Sequence, residues 1–349
     1  MSRMMLRVGR TAGSFAILLM CAGAGPVGAR AQTFTLRDAK DLEARNVRAE
    51  EVEYKGRKAV RLTKQKPNGT KDFDGFAVLR GTDFQDGTIE GDIALKITAP
   101  PGVHMPGFVG VAFRARSDGS RYELFYLRPG NSHAEDQAMR NHSVQYVSEP
   151  DYDWYKLRRE WPWVYEGHAE LQTETWTKVK IEVKGRSARL YVNGSEQPTL
   201  IVDGLKGEDL RGAIALWSYQ GEEAYFSNFR VTNATPQPLK NGSDASGTWQ
   251  VKCASDAGPI GGTLQLTRDG NKVSGDWSGE LGKDQAVTGT WRNGYVELNF
   301  SVDWPTDAKG TTTVPAVATL AGWFDGDSAG GRMKIEGRTD GGWTATRKP

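Results

Sequence analysis

The chain has almost no cysteine and no strong charge bias. Its 349 residues contain 2 Cys, Cys21 and Cys253, and 4 His. So few thiols exclude a fold held together by several disulfides, and stability must come from buried apolar surface. The net charge is +2 and basic residues are interspersed with acidic ones, so we expect no nucleic acid partner.

The sequence also lacks an apolar run long enough to cross a membrane, so no membrane span is predicted. The most apolar run, residues 15–20, follows several arginines and leads into Ala29-Arg30-Ala31. This order is typical of a secretory signal, which predicts a signal peptide over residues 1–31 and a mature protein that is periplasmic or secreted. Cys21 leaves a lipoprotein signal as the alternative, although Met20 is bulkier than the residue such signals use.

Motifs of several enzyme classes are missing as well. No phosphate loop occurs and no dinucleotide fingerprint follows a predicted strand, which excludes the corresponding nucleotide and oxidoreductase chemistry. The histidines show no tight ligand spacing, so no metal centre and no cofactor are predicted. Calcium at a domain rim is left open, although Lys71-Asp72-Phe73-Asp74-Gly75 has too few oxygen ligands for a calcium loop.

The sequence does contain many short alternating runs. From Phe34 to Val231 they are separated by turn residues and show no helical period, which predicts an all-β domain over residues 32–234. In one run Val179, Ile181 and Val183 alternate with charged residues. This spacing predicts a strand with one buried and one exposed face.

A second domain is predicted after a break rich in Pro, Gly and Asn, residues 235–245, which is the predicted linker. Residues 246–349 repeat Gly-Thr-Trp motifs at the ends of short runs, and Asp269-Gly270 and Asn293-Gly294 are hairpin signals. The pattern predicts an antiparallel meander that closes into a small β-barrel, because closure removes exposed strand edges.

The central feature of the first domain is a predicted hairpin at Asp118-Gly119. Pairing Arg116 with Arg121 predicts that Arg114 lies opposite Glu123. One face of the hairpin then holds Gly110, Ala112, Arg114, Glu123, Phe125 and Leu127. Because Gly and Ala leave room on a strand, this face is predicted to be the floor of a ligand groove.

The insert after this hairpin is crowded with polar and aromatic side chains. Forked donors and amides can pair with several hydroxyls, and aromatic rings can cover the C–H face of a sugar, so the insert predicts a carbohydrate site. A long loop held by its own hydrogen bonds is the alternative. The predicted substrate-binding residues are Arg114, Arg128, Asn131, Gln137, Arg140, Asn141, Gln145, Tyr146 and Trp154.

Hydrolysis of a glycosidic bond would need two carboxylates across a groove, with one of them kept protonated by its surroundings. Glu123 and Asp136 are the predicted catalytic pair, and His142 is the candidate base. The structural alternatives are an ordinary cross-strand ion pair between Arg114 and Glu123 and a hydrogen-bonded loop histidine. The sequence therefore leaves open whether the protein is an enzyme.

The segment from Trp154 to Trp163 contains three tryptophans. Such density predicts stacking on a sugar or another partner, or a lid folded over the end of the domain. An adhesion or scaffold module that binds protein is therefore another functional hypothesis.

The first domain resembles the concanavalin A-like, laminin-G-like jelly-roll group. The likeness lies in the segments DGTIEGDIALKI, GFVGVAFRARSDGSRYELFYLRP, WTKVKIEVKGRSARLYVNG and RGAIALWSYQGEEAYFSNFRV. Within the group it is similar to 3-keto-disaccharide hydrolase-type domains, although residues 107–110 stand where those domains carry Asn-Ser-Gly. The resemblance implies a jelly roll and a carbohydrate-related role, with hydrolysis as an alternative. The C-terminal domain resembles lipocalin- or avidin-like meanders.

Together these observations predict an all-β protein, with a concanavalin-like jelly-roll sandwich and a C-terminal antiparallel meander barrel. We expect it to recognise an oligosaccharide or polysaccharide outside the cytoplasm, through the jelly-roll groove and its rim loop. A glycoside hydrolase or related sugar-cleaving enzyme is the first alternative, and a protein-binding adhesion or scaffold module is the second. The sequence indicates no oligomeric state.

Overall fold

The computed structural model describes residues 31–36, 39–65, 74–98, 100, 102–219, 222–237, 244–307 and 310–349. The predicted signal peptide, except for Ala31, and residues 238–243 of the predicted linker lie outside the described residues. Within the described ranges, no helix has the length and apolar content needed to cross a membrane.

The secondary structure is almost entirely β. In chain order the first strands and helices are β1 Ala31–Phe34, β2 Leu42–Arg45, β3 Val47–Tyr54, β4 Arg57–Lys64, β5 Asp74–Leu79, β6 Gly87–Lys96, β7 Val109–Ala115, β8 Tyr122–Leu127, α1 Gln137–Arg140, β9 Val144–Glu149, α2 Trp154–Glu160, β10 Glu166–Gly167, β11 Thr177–Lys184, β12 Ser187–Val192, β13 Leu200–Asp203, β14 Ala213–Tyr219 and β15 Glu223–Asn233. Single 3-10 turns lie at Ala39–Asp41 and Pro129–Asn131. The remaining strands are β16 Gly247–Ser255, β17 Gly258–Asp269, β18 Lys272–Gly279, β19 Gly282–Arg292, β20 Tyr295–Pro305, β21 Thr313–Asp325, β22 Ser328–Ile335 and β23 Thr339–Arg347.

Strands β1 to β15 form two antiparallel sheets packed as a sandwich. The first sheet has the order β13-β12-β11-β6-β15-β4-β3, with β1 also paired to β15, and the second has the order β10-β9-β8-β7-β14-β5-β2. Each sheet joins strands that are distant in sequence, as in a jelly roll. The predicted all-β jelly-roll sandwich is therefore confirmed.

The sandwich core lies between the two sheets. The predicted alternation in β11 is confirmed, because Val179, Ile181 and Val183 are buried and the intervening residues are partly or fully exposed. From the second sheet Phe113 and Phe125 pack with ring centroids 6.0 Å apart in the same core. Burial of these apolar surfaces supplies the main stabilisation, at about 25 cal/mol per Å².

The predicted register of the central hairpin is wrong by one residue. The turn itself pairs as predicted, since Arg116 N donates to Arg121 O at 2.9 Å. Further along, Phe113 rather than Arg114 lies opposite Glu123. The extra residue is taken up by a bulge near Arg114, whose φ is 51°.

This shift exchanges the faces of β8 relative to β7, because side chains alternate along a strand. Glu123 and Phe125 therefore share the inner face with Phe113, while Leu124 and Tyr126 share the outer face with the small residues of β7. The predicted groove face, which combined Glu123 and Phe125 with Gly110 and Ala112, is thus corrected.

Strands β7, β8 and β9 are buried on both faces. One face packs in the core, and the insert between β8 and β11 covers much of the other. The insert contains both helices, and each begins at an aspartate: Asp136 Oδ1 accepts from Ala138 N at 2.7 Å, and Asp153 Oδ1 accepts from Lys156 N at 2.8 Å. These side chains satisfy N–H groups that a helix start leaves unpaired.

The C-terminal strands β16 to β23 form a closed eight-stranded barrel, which confirms the predicted meander barrel. Each strand pairs with the next, and β23 closes onto β16. The Gly-Thr-Trp tryptophans Trp249 and Trp291 are buried in its interior, where Trp343 also packs. The Asn293-Gly294 turn between β19 and β20 has positive φ at both residues, as a tight hairpin requires.

Candidate functional site

A cavity of about 590 Å³ opens on the outer face of the second sheet, between β8, β9, β14 and the insert. Its walls come from residues far apart in sequence, which the sheet order brings together. They are His104, Pro106, Phe108, Leu124, Tyr126, Arg128, Asn131, Met139, His142, Val147, Glu149, Asp153, Trp154, Arg158, Trp217 and Tyr219.

The floor of the cavity is aromatic. Tyr126 on β8 and Trp217 on β14 lie with ring centroids 5.3 Å apart, and Trp217 stacks on Tyr219 at 6.0 Å. Phe108 meets Tyr219 edge-on at 5.4 Å. Gly110 lies opposite Tyr126, and a Cβ there would come within 2.7 Å of the tyrosine Cβ, so only glycine lets the floor pack this closely.

Arg128 lies at the edge of this floor with its guanidinium 5.0 Å from the Tyr126 ring centroid and 5.7 Å from that of Phe108. Its Nη2 donates to the Tyr126 hydroxyl at 2.6 Å, and its Nη1 donates to the His142 carbonyl at 3.2 Å. Burial raises the pKa of Tyr126 to about 12, so the phenol is neutral at physiological pH. The Nε–H of Arg128 is buried and has no hydrogen-bond partner among the described residues.

His142 forms a polar wall of the cavity. Its Nδ1 lies 2.8 Å from Glu166 Oε2, although the approach is off the line of a well-directed hydrogen bond. Arg158 holds the same carboxylate with Nη2 at 2.7 Å. Burial lowers the pKa of His142, Glu166 opposes this, and the nearby Arg158 and Arg128 reinforce it. The net lowering favours a neutral imidazole, which can both donate and accept.

Trp154 stands at the rim as the first residue of α2 and is 45% exposed. The Arg158 guanidinium lies 4.9 Å from its ring centroid, one turn further along the helix. On the other side, Asn131 Oδ1 lies 3.0 Å from His104 Nε2. The rim therefore combines one exposed aromatic face with amide and imidazole groups.

Four of the residues predicted from the sequence line this cavity: Arg128, Asn131, His142 and Trp154. Gln145 lies behind the wall, where its Oε1 accepts from Arg128 and its Nε2 donates to the Tyr165 carbonyl.

The predicted residues of α1 do not line the cavity. Gln137 Nε2 donates to Asn141 Oδ1 at 2.8 Å, and Arg140 Nη2 donates to Gln137 Oε1 at 2.7 Å. Asp136 caps the same helix. This part of the insert follows the alternative of a loop held by its own hydrogen bonds.

Glu123, Tyr146 and Arg114 lie inside the sandwich. The Tyr146 hydroxyl donates to Glu123 Oε2 at 2.5 Å, and Gly207 N donates to Glu123 Oε1 at 2.9 Å. Burial raises the pKa of Glu123, which is 1% exposed. Arg114 pairs with Asp86 at 3.0 Å rather than with Glu123. The structure therefore does not bring Glu123, Asp136 and His142 to one site.

Sequence reasoning missed several lining residues, above all Trp217 and Tyr219. They alternate with Ser218 on β14 in the segment ALWSY, which is a signal for one shared face. Which partner strand that face adjoins depends on the sheet order, and β14 lies next to β7 although about a hundred residues separate them.

No protein-family model and no curated protein matches the chain. Among solved structures it is similar to the carbohydrate binding module CBM66 from Bacillus subtilis, with 15% identity over 55% of this chain and 95% of that chain and a TM-score of 0.38. It is also similar to a Bacillus subtilis protein with a galectin-like fold, with 14% identity over 59% of this chain and 96% of that chain and a TM-score of 0.40. It is similar as well to winged bean acidic lectin complexed with methyl-alpha-D-galactose, with 12% identity over 58% of this chain and 98% of that chain and a TM-score of 0.35. Likeness this remote assigns no function, which must be argued from the cavity.

Proposed function

We propose that this protein recognises an oligosaccharide or polysaccharide, and that the cavity on the second sheet holds part of it. The observation that carries the proposal is the pairing of an aromatic floor with a rim of directional polar groups. Tyr126 and Trp217 offer apolar ring faces, and Arg128, Asn131 and His142 offer donors and acceptors. A sugar presents the complementary surface, with C–H groups on its ring faces and hydroxyls around its edge.

Two buried donors support a polar ligand. Within the part of the chain that the structure describes, the Nε–H of Arg128 and the indole N–H of Trp217 have no hydrogen-bond partner, and both residues line the cavity. Unsatisfied buried donors cost about 1–3 kcal/mol each, and an acceptor supplied by a ligand would offset this cost. Hydroxyl oxygens are suitable acceptors. The volume of about 590 Å³ is within the usual range of small-ligand sites.

We favour recognition over hydrolysis as the proposed function. The predicted carboxylate pair does not meet at the cavity, because Glu123 faces the sandwich interior and Asp136 caps α1. Glycoside hydrolysis needs both carboxylates beside the same bond. We also propose that the protein acts outside the cytoplasm, on the basis of its N-terminal sequence, and cell fractionation would test this.

The test is saccharide binding by the mature protein and two variants that change neighbouring residues of α2. Trp154→Ala removes the aromatic face at the rim and should weaken binding about tenfold, corresponding to about 1.4 kcal/mol. Tyr155→Ala is the matched control, because Tyr155 is exposed on the same helix but does not line the cavity. A glycan array would find the ligand, and isothermal titration calorimetry would measure affinity.

Failure to bind any saccharide, or equal weakening in both variants, would contradict the proposal. Release of reducing ends from a bound oligosaccharide would show instead that the site is catalytic.

A further inference from the structure

A second and larger cleft lies between the sandwich and the barrel. Its volume is about 870 Å³. The sandwich wall includes Arg186 in the β11–β12 turn and Lys206 after β13, and the barrel wall includes Trp323 on β21 and glycines of β22. The cleft is separate from the cavity described above, with which it shares no lining residue.

Lys206 enters this cleft through a cage of aromatic rings. Its Nζ lies 3.7 Å from the ring centroid of Trp161, 5.5 Å from that of Tyr165 and 5.7 Å from that of Tyr152. Among the described residues, no carboxylate forms a salt bridge with it. The ammonium is therefore held by rings alone, and rings offset the loss of water only in part.

Arg186 is the second cation of the cleft. Its guanidinium stacks over Trp323 at 4.3 Å, and its Nε and Nη2 both donate to the Leu205 carbonyl, at 3.3 and 3.2 Å. These contacts orient the guanidinium but provide no carboxylate at hydrogen-bond distance. Burial lowers the pKa of Arg186, and Asp325 opposes this.

The two cations act on each other. The pKa of Lys206 is lowered to about 8, first by burial and then by Arg186, while Glu160 on α2 and Glu123 in the sandwich oppose both effects. The remaining neighbours in the cage are the tyrosines, which are neutral. The cleft is lined by three cations, Lys184, Arg186 and Lys206, and by two carboxylates, Asp203 and Asp325. Among the described residues neither carboxylate forms a salt bridge with Arg186 or Lys206, so an anion would compensate these two cations.

The barrel wall contributes an independent sign of a ligand. Trp323 is 6% exposed, and its buried indole N–H has no hydrogen-bond partner in the described ranges. Gly330 and Gly331 present backbone rather than side chains beside it, which lets a ring approach closely.

We propose that this cleft is a second ligand site, which takes a saccharide that carries a carboxylate. Lys206 and Arg186 hold the carboxylate, and Trp161 and Trp323 contact the sugar ring. The chemical class follows from the lining, because cations beside flat aromatic rings suit a ligand in which an anionic group is attached to a ring with apolar faces. A neutral sugar would leave Lys206 and Arg186 without an anionic partner.

The experiment measures binding of a galacturonate oligosaccharide, a neutral galactose oligosaccharide of the same length, and inorganic phosphate. The full mature chain carries Trp154→Ala throughout, so that the cavity on the second sheet contributes as little as possible. The galacturonate oligosaccharide should bind at least tenfold more tightly than the other two ligands. Equal binding of the neutral oligosaccharide would overturn the proposal, and tighter binding of phosphate would show a simple anion site instead.

Lys206→Met is the decisive variant and should weaken galacturonate binding at least tenfold. Lys180→Met is the matched control, because Lys180 also lies over a ring, Tyr191 at 4.0 Å, but on the sandwich surface and paired with Glu182. The control should bind as the parent does. An equal loss in both variants, or no loss in Lys206→Met, would overturn the assignment.

The pH dependence of the parent protein provides a test that needs no variant of Lys206. Binding favours the ammonium, so affinity should fall about tenfold between pH 7 and pH 9, with proton uptake at pH 9. Lys206→Arg keeps the charge without titrating in this range, so it should bind with little change over the same interval. Equal affinity of the parent at both pH values would contradict the role of Lys206.

Discussion

At the scale of single residues, the buried carboxylates differ in what surrounds them. Glu123 accepts from Tyr146 and Gly207, whereas neither oxygen of Glu222 makes a well-formed hydrogen bond with any described residue. Glu222 is 4% exposed, and burial raises its pKa to about 8, a rise that the Phe108 backbone opposes only in part. The neighbouring Glu223 has a pKa of about 2, because Lys96 and then Tyr225 hydrogen-bond to it.

Glu222→Gln should therefore stabilise the protein at neutral and alkaline pH. The native state holds the proton up to about pH 8, whereas an unfolded glutamate loses it near 4.5, so the free energy of unfolding falls as pH rises between these values. The variant lacks this loss, which is on the order of 3–5 kcal/mol above pH 8. Urea unfolding at pH 5, 7 and 8.5 would measure it.

Glu223→Gln is the control with the opposite sign. Its lowered pKa contributes stability above pH 4.5 that is lost as pH falls, so this variant should destabilise the protein at pH 7. If Glu222→Gln changed the free energy of unfolding by the same amount at pH 5 and pH 8.5, the claim that burial raises the pKa of Glu222 would be refuted.

At the scale of elements, the central hairpin shows what the sequence could and could not predict. Alternation of apolar residues predicted β7 and β8, and Asp118-Gly119 predicted the turn between them. The bulge could not be predicted, because Arg114 is neither glycine nor asparagine and adopts φ 51° only where tertiary contacts hold it. That one residue moved Glu123 from the predicted groove into the core.

The contacts that hold the bulge come from other elements. Arg114 is 1% exposed, and it donates to the Gln85 and Gly185 carbonyls and to Asp86 Oδ1. Asp86 also accepts from Gly185 N and Gln237 N. The side chain thus ties β7 to the start of β6 and to the β11–β12 turn.

Arg114→Met should reduce the free energy of unfolding by about 3–5 kcal/mol, because it leaves the Asp86 carboxylate buried with a partner missing. Arg116→Met is the matched control, two residues away at the same turn. Arg116 pairs with Glu208 and Asp209 at the surface, so its loss should cost less than about 1 kcal/mol. Chemical denaturation would compare the two variants. Similar losses of stability would contradict the claim that the buried pair of Arg114 and Asp86 contributes more than the surface pairs of Arg116.

The insert was predictable in composition but not in arrangement. Its polar and aromatic residues indicated a ligand site, and Arg128, Asn131, His142 and Trp154 line the cavity. The residues of α1 bond to one another instead, because a helix of four residues needs its side chains to support it. The floor came from β14, whose position beside β7 is a property of the sheet order.

At the scale of the whole molecule, the insert and the barrel contact each other directly. Arg332 on β22 donates to the Asp151 carbonyl and to Asp340 Oδ2, and its guanidinium lies 6.0 Å from the Tyr152 ring centroid. Arg159 of α2 pairs with Asp256 at 3.0 Å. These contacts hold the barrel against the segment that carries both Trp154 and Trp161.

Arg332→Met should loosen this interface by about 1–3 kcal/mol, because the Asp151 carbonyl loses a charged donor. Both units keep their own cores, so both should remain folded. Galacturonate binding in the cleft should weaken, since its two walls belong to different units. Saccharide binding in the cavity should change less than about threefold, since every lining residue lies in the sandwich unit.

Calorimetric titration of each ligand would separate the two effects, and small-angle scattering should show a larger radius of gyration for the variant. Arg211→Met is the control, because Arg211 pairs with Asp83 on the sandwich surface and does not line the cleft. Equal loss of binding at both sites would mean that Arg332 supports the sandwich itself. Unchanged binding at both sites would mean that ligand binding in the cleft does not depend on the contact between Arg332 and the insert.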